Sequence, residues 1–167
     1  MISLNGDGIM KIEKVYLTKD NLLKIEKIDN SFYTNAITGI EWYLERYNKK
    51  HYAYCLFDNN NMVGYIVSVP IRKALYDAII SGVLLNDLHI NPEMFVNESN
   101  YNYIVSCVIK EEYRNKKYGK LLMETLLHDL KDCHACCLTI SKEGYQLANK
   151  YLKLKNKLND NVSVFEK

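Results

Sequence analysis

Apolar positions recur with two different periods along this chain of 167 residues. Residues 11–17 alternate apolar and polar side chains, which predicts a strand with one buried face. Residues 19–28 place apolar side chains at helical spacing behind Thr18, a typical N-cap residue. A break is expected over residues 29–31, followed by a second helix over residues 36–47.

The middle of the chain predicts a hairpin. Two runs rich in β-branched and aromatic residues, 51–57 and 62–69, flank the sequence Asp58-Asn-Asn-Asn61, whose residues tolerate the backbone angles of a tight turn. Pro70 ends the second run because proline has no amide to donate to a sheet. Further predictions are a short helix over 71–80 ended by Gly82, an edge strand within 83–90, and mostly loop over 86–102.

The stretch from Tyr103 to Leu130 is the most informative one. Residues 103–109 predict a buried strand, residues 110–119 a charged turn, and the residues from Tyr118 onward an amphipathic helix. A helix N-terminus presents unpaired backbone N–H groups and the positive end of the helix dipole, which suits a phosphate. Three lysines surround this helix N-terminus, together with a glycine that admits close approach of a ligand: Lys116, Lys117, Lys120 and Gly119.

The last part of the chain predicts a buried strand over residues 136–140 and a helix over 142–154 capped by Ser141. A short final strand is expected over 162–165. With no repeats and no linker, we expect one mixed α/β (α+β) domain over residues 10–167, preceded by a loose extension over residues 1–9.

Composition narrows the class of protein. The apolar fraction is 48% and the net charge +2, so the chain has a core and lacks the strongly basic balance of a general nucleic-acid binder. No run approaches the ~20 apolar residues of a membrane span, and residues 1–10 lack the layout of a signal peptide. An odd number of cysteines then favours reduced thiols and a cytoplasmic location. The pair Cys133 and Cys136 has no second pair to complete a zinc site, so no metal is expected.

The turn also resembles a known family. The sequence Glu112-Tyr-Arg-Asn-Lys-Lys-Tyr-Gly119 is similar to the acetyl-coenzyme A loop of the GCN5-related N-acetyltransferases (GNAT). That family's pattern is Arg or Gln, two residues, Gly, one residue, then Gly or Ala. Arg114 matches the first position and Gly119 the last, while Lys117 stands where the family has its middle glycine. The predicted element order matches the GNAT layout over nearly the whole chain.

The resemblance implies a mostly antiparallel central sheet flanked by helices, with splayed central strands that form a cofactor cleft. It implies acetyl-coenzyme A (acetyl-CoA) as cosubstrate and no metal. The backbone of Cys107, Val108 and Ile109 would meet the pantetheine arm and the acetyl carbonyl. Lys117 fits the loop if its φ is negative and its side chain turns outward. The pyrophosphate would rest on the N–H groups of the residues after Arg114, namely Asn115, Lys116, Lys117, Tyr118, Gly119 and Lys120.

The family's general acid is a tyrosine in a Tyr-x-x-x-Gly-Phe ending. Tyr151 falls in register, although Lys155 and Asn156 replace the Gly-Phe; an apolar helical stripe that includes Tyr151 is an equal alternative, and Tyr145 is a second choice. For the general base the candidates are Asp87 and His89, together with Glu41 or a bound water.

The resemblance thus implies an N-acetyltransferase that moves an acetyl group from acetyl-CoA to a primary amine of a small molecule or peptide by direct attack. Two alternatives stay open: a non-catalytic acyl-CoA sensor of the same fold, and an interaction module without a cofactor. Neither nucleic acid nor membrane is expected as a partner. Homodimers are common in the family, but the sequence identifies no interface. The walls of the acceptor pocket would come from the second helix and residues 71–102.

Overall fold

A seven-stranded sheet is the framework of the protein. The structure is a computed structural model and describes residues 10–32, 39–84 and 89–167. Its strands are β1 (Met10–Tyr16), β2 (Tyr52–Asp58), β3 (Asn61–Pro70), β4 (Tyr101–Ile109), β5 (His134–Thr139), β6 (Lys153–Lys157) and β7 (Ser163–Glu166). The described helices are α1 (Lys19–Phe32), α2 (Ile40–Arg46), α3 (Lys73–Ile80), α4 (Tyr118–Asp129) and α5 (Lys142–Tyr151), with short 3-10 helices at Pro92–Met94 and Glu111–Tyr113.

The strand order in the sheet is β1-β2-β3-β4-β5-β7-β6. Strand β1 runs antiparallel to β2, and β7 runs antiparallel to both β5 and β6, whereas β4 and β5 are parallel. A parallel pair within a mostly antiparallel sheet requires a crossover, and α4 is the helix between β4 and β5 in the chain. The mixed α/β fold with a mostly antiparallel sheet is therefore confirmed.

The described residues divide into two compact units, and the first comprises residues 10–32, 39–67 and 106–127. In this unit β1 and β2 pair from Met10↔Asp58 to Tyr16↔Tyr52. Helix α1 buries one face, because Leu22, Ile25 and Ile28 repeat at helical spacing.

The second unit comprises residues 68–84, 89–105 and 128–167. Here β5 and β7 pair from Cys136↔Glu166 to Thr139↔Ser163. Helix α3 buries Leu75, Tyr76 and Ile79. Helix α5 begins as predicted at Lys142 and is capped by Ser141, whose side chain accepts a hydrogen bond from the amide of Gly144 at 3.0 Å.

Two of the predicted boundaries are wrong. Residues 29–31 do not break the first helix, because α1 continues to Phe32 and buries Asp29 on the same face as Leu22 and Ile25. The last helix ends at Tyr151 rather than Leu154, and residues 153–157 form strand β6 instead. Pairing with β7 overrides the local preference of this lysine-rich segment, since strand formation depends on cross-strand partners.

Three other predictions concern segments that lie partly or wholly outside the described residues. The edge strand predicted within 83–90 is wrong at residues 83, 84, 89 and 90, and residues 85–88 lie outside the described residues. The predicted start of the second helix at residue 36 also lies outside them, as does the proposed extension over residues 1–9. One domain over residues 10–167 stays a prediction.

Candidate functional site

The second half of β4 extends beyond its ladder with β5. The two strands pair only from Tyr101↔His134 to Ile104↔Cys137, while β4 continues to Ile109. The ladder therefore stops three residues before the first of the predicted cofactor-contacting positions, Cys107, Val108 and Ile109. Val108 is buried and its two neighbours are half-buried.

Gly64 on β3 fits closely against this end of β4. A Cβ atom on Gly64 would overlap Cδ1 of Ile109 and would lie 3.0 Å from the carbonyl oxygen of Val108. The amide of Lys110 donates to the carbonyl oxygen of Val63 at 2.9 Å, which holds the strand end in place. The absence of a side chain at position 64 thus sets the position of residues 108 and 109.

The α4 turn (residues 110–120) joins β4 to α4. Asn115 and Lys117 adopt positive φ angles of 63° and 66°. The condition of a negative φ at Lys117 is therefore not met, and a left-handed residue occupies the position where the family pattern has glycine. Asparagine tolerates this conformation, whereas lysine does so at a cost of about 1–2 kcal/mol. The turn is strained at Lys117.

Backbone amides accumulate in the α4 turn. The amides of Tyr113 and Arg114 donate to the carbonyl oxygens of Lys110 and Glu111, and the next internal bond runs from the Leu121 amide to the carbonyl oxygen of Lys117. Within the described residues, the amides of residues 115–120 have no carbonyl partner. They lie at the N-terminal end of α4, whose first turn has no acidic residue. This end of the helix is suited to an anion.

Lys116, Lys117 and Lys120 are exposed, whereas Lys110 is half-buried. Two side chains anchor the α4 turn to the rest of the first unit. Tyr113 Oη donates to Asp58 Oδ2 at 2.7 Å, and this bond to a carboxylate raises the pKa of the phenol. Arg114 Nε donates to the carbonyl oxygen of Ile109 at 2.9 Å, and its guanidinium lies 4.7 Å from the centre of the Phe32 ring. Arg114 therefore holds the turn against Ile109 and Phe32, and the exposed lysines supply the positive charge for an anion.

The candidate general acids and bases lie on different elements and differ in solvent exposure. Tyr151 is half-buried at the last position of α5, and Tyr145 packs its ring against Phe165 with centroids 5.3 Å apart. His89 is exposed, as is Glu41 in the first turn of α2. Asp87 lies outside the described residues. The roles of Tyr151, Asp87 and His89 stay predictions.

Lys155 and Asn156, which stand where the family has Gly-Phe, lie in strand β6. Lys155 pairs with Glu166 on β7 at 3.2 Å. Asn156 Nδ2 donates to the carbonyl oxygen of Ile80 at 2.7 Å, at the end of α3. Both replacements are therefore used in holding β6 to its neighbours in the second unit.

The sequence interpretation missed a buried polar group on α1. Asp29 is 6% exposed and accepts hydrogen bonds from the phenols of Tyr43 on α2, at 2.5 Å, and Tyr65 on β3. Tyr65 Oη lies 3.0 Å from Ser106 Oγ on β4. We call these four residues the Asp29 cluster. Its one sequence signal is an aspartate on the apolar stripe of a helix, in register with Leu22 and Ile25.

Burial raises the pKa of two groups of the Asp29 cluster, the carboxyl group of Asp29 and the phenol of Tyr65. Desolvation raises the pKa of Asp29, although the hydrogen bonds from Tyr43 and Tyr65 act in the opposite direction, and the like charge of Glu26 raises it further. The phenol of Tyr65 is 1% exposed, and its pKa is raised well above the usual value by desolvation and by the adjacent carboxylate. Tyr65 therefore stays protonated and acts as a hydrogen-bond donor to Asp29.

The five cysteines are free thiols, and Cys55, Cys136 and Cys137 are buried. Burial raises the pKa of the Cys55 and Cys137 thiols to about 12, so both stay protonated at neutral pH. In the parts of the chain that the structure describes, no three His, Cys, Asp or Glu side chains come together as a metal site. Among the described helices, none is long and apolar enough to cross a membrane.

Comparison with known proteins defines the class. Residues 21–152 match the sequence model of the acetyltransferase (GNAT) family. This match covers most of the chain, and the protein belongs to the GNAT acetyltransferase family. A comparison with curated proteins gives no match.

Solved structures share the fold at low sequence identity. PaiA N-acetyltransferase from Thermoplasma acidophilum, in complex with coenzyme A, is 15% identical, with 94% of this chain and 98% of that chain covered and a TM-score of 0.57. NAA60 from Arabidopsis thaliana, in complex with acetyl-CoA, is 12% identical, with coverages of 95% and 99% and a TM-score of 0.63. The ribosomal-protein-S18-alanine N-acetyltransferase from Escherichia coli is 9% identical, with coverages of 95% and 91% and a TM-score of 0.62.

Proposed function

We propose that this protein transfers the acetyl group of acetyl-CoA to a primary amine of a small molecule or peptide by direct attack of the amine on the thioester. The run of unpaired amides at residues 115–120 carries the proposal, because it lies at a helix N-terminus beside three exposed lysines. Family membership supports it, as do solved relatives whose complexes contain coenzyme A or acetyl-CoA.

The α4 turn would hold the pyrophosphate of acetyl-CoA. Fixed N–H dipoles stabilise an anion without reorganising, and Lys116, Lys117 and Lys120 add positive charge around it. Lys120 also has Glu124 at 3.6 Å, one helical turn away, so part of its charge is balanced within α4. Backbone groups of β4 beyond its ladder with β5 would orient the pantetheine arm and the acetyl carbonyl.

The reaction requires a proton donor and a proton acceptor. The amine nitrogen forms a bond to the acetyl carbon, the carbon–sulfur bond breaks, and sulfur keeps the electron pair. Tyr151 is the proposed donor to that sulfur, and Asp87 and His89 are the residues that sequence reasoning offers as acceptors. A peptide amine is one acceptor class, since Naa50 from Arabidopsis thaliana has been crystallised with a bisubstrate analogue that joins CoA to the acetylated peptide MVNAL.

Turnover is tested by thiol release from acetyl-CoA in the presence of primary amines. The panel is the peptide Met-Val-Asn-Ala-Leu, lysine amide and spermidine, with mass spectrometry to identify the acetylated product. We expect amine-dependent thiol release with at least one class of amine. Binding of acetyl-CoA without amine-dependent release from a broadened panel would contradict the enzyme assignment and favour the sensor.

The role of Tyr151 is tested against a matched tyrosine on the same helix. Removing a general acid lowers kcat by ~10²-fold or more, so Tyr151→Phe should do so with little change in acetyl-CoA affinity. Tyr145→Phe, whose ring packing on Phe165 is preserved, should retain most of the activity. Full activity of Tyr151→Phe, or a larger loss from Tyr145→Phe, would exclude Tyr151 as the acid.

A further inference from the structure

The Asp29 cluster connects three elements of the first unit to β4. Helices α1 and α2 supply Asp29 and Tyr43, and β3 supplies Tyr65. Ser106 lies on β4, two residues beyond the end of the ladder with β5 and directly before Cys107. The backbone of the next three residues, Cys107, Val108 and Ile109, is assigned to the pantetheine arm and the acetyl carbonyl in the proposed function.

The donor and the acceptor of each hydrogen bond in the Asp29 cluster can be assigned. The Tyr65 phenol donates its single hydrogen to Asp29 Oδ1, so in its contact with Ser106 the hydroxyl of Ser106 is the donor. Ser106 Oγ then keeps its lone pairs for another donor. Asp29, Tyr65 and Ser106 thus form an ordered chain of hydrogen bonds that ends at a proton acceptor.

The three residues of this hydrogen-bond chain differ in solvent exposure. Asp29 and Tyr65 are buried, and Ser106 is half-buried. Solvent or a ligand therefore meets the chain at Ser106 and not at the carboxylate. A buried carboxylate that receives two phenol hydrogen bonds and has Glu26 as its charged neighbour is poorly compensated. Such a group gains from accepting a proton.

We propose that Ser106 accepts the proton of the attacking amine and passes its own through Tyr65 to Asp29. This inference rests on the proposed acetyl transfer and identifies a proton acceptor for it. As the nitrogen–carbon bond forms, the nitrogen loses a proton to Ser106 Oγ, Ser106 gives its hydroxyl proton to Tyr65 Oη, and Tyr65 gives its phenol proton to Asp29. Ser106 and Tyr65 end unchanged, and Asp29 ends as a neutral acid that returns its proton to solvent by the same chain.

Ser106 is the catalytic residue in this scheme, and Tyr65 and Asp29 act through it. The titratable groups that face Asp29 are Glu26 on its own helix, Tyr43 on α2 and Tyr65 on β3. The carboxylate must be ionised to accept a proton, so activity should fall as the pH drops through the pKa of Asp29. Burial has raised that pKa, which moves the acidic limb of the activity profile toward neutral pH.

The cluster contains its own matched control. Tyr65→Phe and Tyr43→Phe each remove one phenol hydrogen bond from the same carboxylate, but only Tyr65 links it to Ser106. We expect Tyr65→Phe and Ser106→Ala to lower kcat by ~10²-fold, the scale of general base catalysis, with unchanged acetyl-CoA affinity by calorimetry. Tyr43→Phe should lower kcat much less than Tyr65→Phe does, and it should shift the acidic limb of kcat/KM to higher pH, since it removes a bond that lowers the pKa of Asp29.

A readout without substrate completes the experiment. The Asp29 carboxyl carbon is titrated by NMR in the ligand-free protein, wild type and Tyr43→Phe. The pKa observed there should match the acidic limb of kcat/KM in both proteins. If the limb and the titration disagree, or if Tyr65→Phe and Tyr43→Phe lower kcat equally, the relay is wrong.

Failure of the relay and failure of the proposed function give different results. Wild-type protein without amine-dependent thiol release contradicts the proposed function itself. Wild-type turnover with full activity of Ser106→Ala contradicts the relay alone. Ser106→Ala removes one hydroxyl from a half-buried strand position, so it gives an answer even if Tyr65→Phe does not fold.

Discussion

Two regions of the first unit contrast in how they present charge. The α4 turn exposes three lysines and a row of backbone amides, and its chemistry lies in consecutive residues. The Asp29 cluster buries one carboxylate, and its partners lie 14 and 36 residues away in the chain, with Ser106 a further 41 residues beyond Tyr65. An exposed anion site can be built from one local segment, whereas a buried acid requires partners that only the fold brings together.

Among substitutions at or next to the α4 turn, Gly64→Ala on β3 is expected to have the largest effect on stability. The added methyl group meets the backbone of Val108 as well as the side chain of Ile109, so relaxation has to move β4. We expect a loss of about 1–3 kcal/mol in the free energy of unfolding, together with weaker acetyl-CoA binding. Chemical denaturation and calorimetry measure the two. The control is Gly39→Ala, whose added carbon would lie 3.7 Å from Glu26 Oε1 and should cost only ~0.5 kcal/mol.

A smaller effect is expected from Arg114→Lys. Lysine keeps the positive charge but loses both the flat stacking on Phe32 and the Nε bond to the Ile109 carbonyl oxygen, which together contribute about 1–2 kcal/mol. Acetyl-CoA affinity should fall with stability, because the anchored turn presents the amides. Arg72→Lys is the control, since exposed Arg72 makes an equivalent Nε bond to the carbonyl oxygen of Glu93. Equal losses from the two variants would show that Arg114 has no special role in the turn.

The strain at Lys117 is tested by Lys117→Gly. Glycine adopts a φ of 66° without penalty, so the variant should gain ~1 kcal/mol in the free energy of unfolding even after its larger chain entropy is included. Lys116→Gly removes the same charge from the same turn where φ is not positive, and it should lose ~0.5–1 kcal/mol. Thermal unfolding of the two variants compares them directly. Destabilisation by Lys117→Gly would show that its side chain, not its backbone, matters to the fold.

The smallest effect depends on pH and concerns the Asp29 cluster. The pKa of Asp29 is raised in the folded state, so stability present below the ordinary carboxyl pKa is lost as the pH rises through the folded-state value. Asp29→Asn cannot titrate and removes this loss, while forfeiting ~1 kcal/mol of hydrogen bonding at every pH. The Tm of Asp29→Asn minus that of wild type should therefore increase from pH 4 to pH 8. A difference independent of pH would mean that Asp29 is not shifted.

Local signals explain which parts of the fold the sequence predicted. The hairpin at Asp58–Asn61, the cap at Ser141 and the strand–turn–helix around Gly119 each depend on a few consecutive residues, and all three elements are present. Strand β6 was missed because its pairing with β7 depends on residues 163–166, which follow it in the chain. A helix preference for its lysines is overridden by that pairing.

The candidate site, like the fold, was predictable only where its residues are consecutive in the chain. The residues of the α4 turn could be named because the family pattern is contiguous, although the backbone conformation of Lys117 could not. Tyr65 lies in a strand of mostly apolar residues, and nothing in that run distinguishes it from an ordinary core residue. Its hydrogen bonds to Asp29 and Ser106 depend on side-chain geometry across three elements. Only the polar position of Asp29 on an apolar stripe gives a hint of them.

The most direct test of the account is calorimetric titration of the protein with acetyl-CoA, alongside Gly119→Glu and His128→Glu. Both variants add a carboxylate to α4, at the N-terminal and C-terminal ends respectively. The account predicts micromolar binding by wild type and His128→Glu, and binding at least ~tenfold weaker by Gly119→Glu, which 1.4 kcal/mol of repulsion would produce. Because a carboxylate stabilises a helix N-terminus, Gly119→Glu should stay folded. Wild-type protein that does not bind, or equal binding by all three, would contradict the assignment of the α4 turn as the acetyl-CoA site.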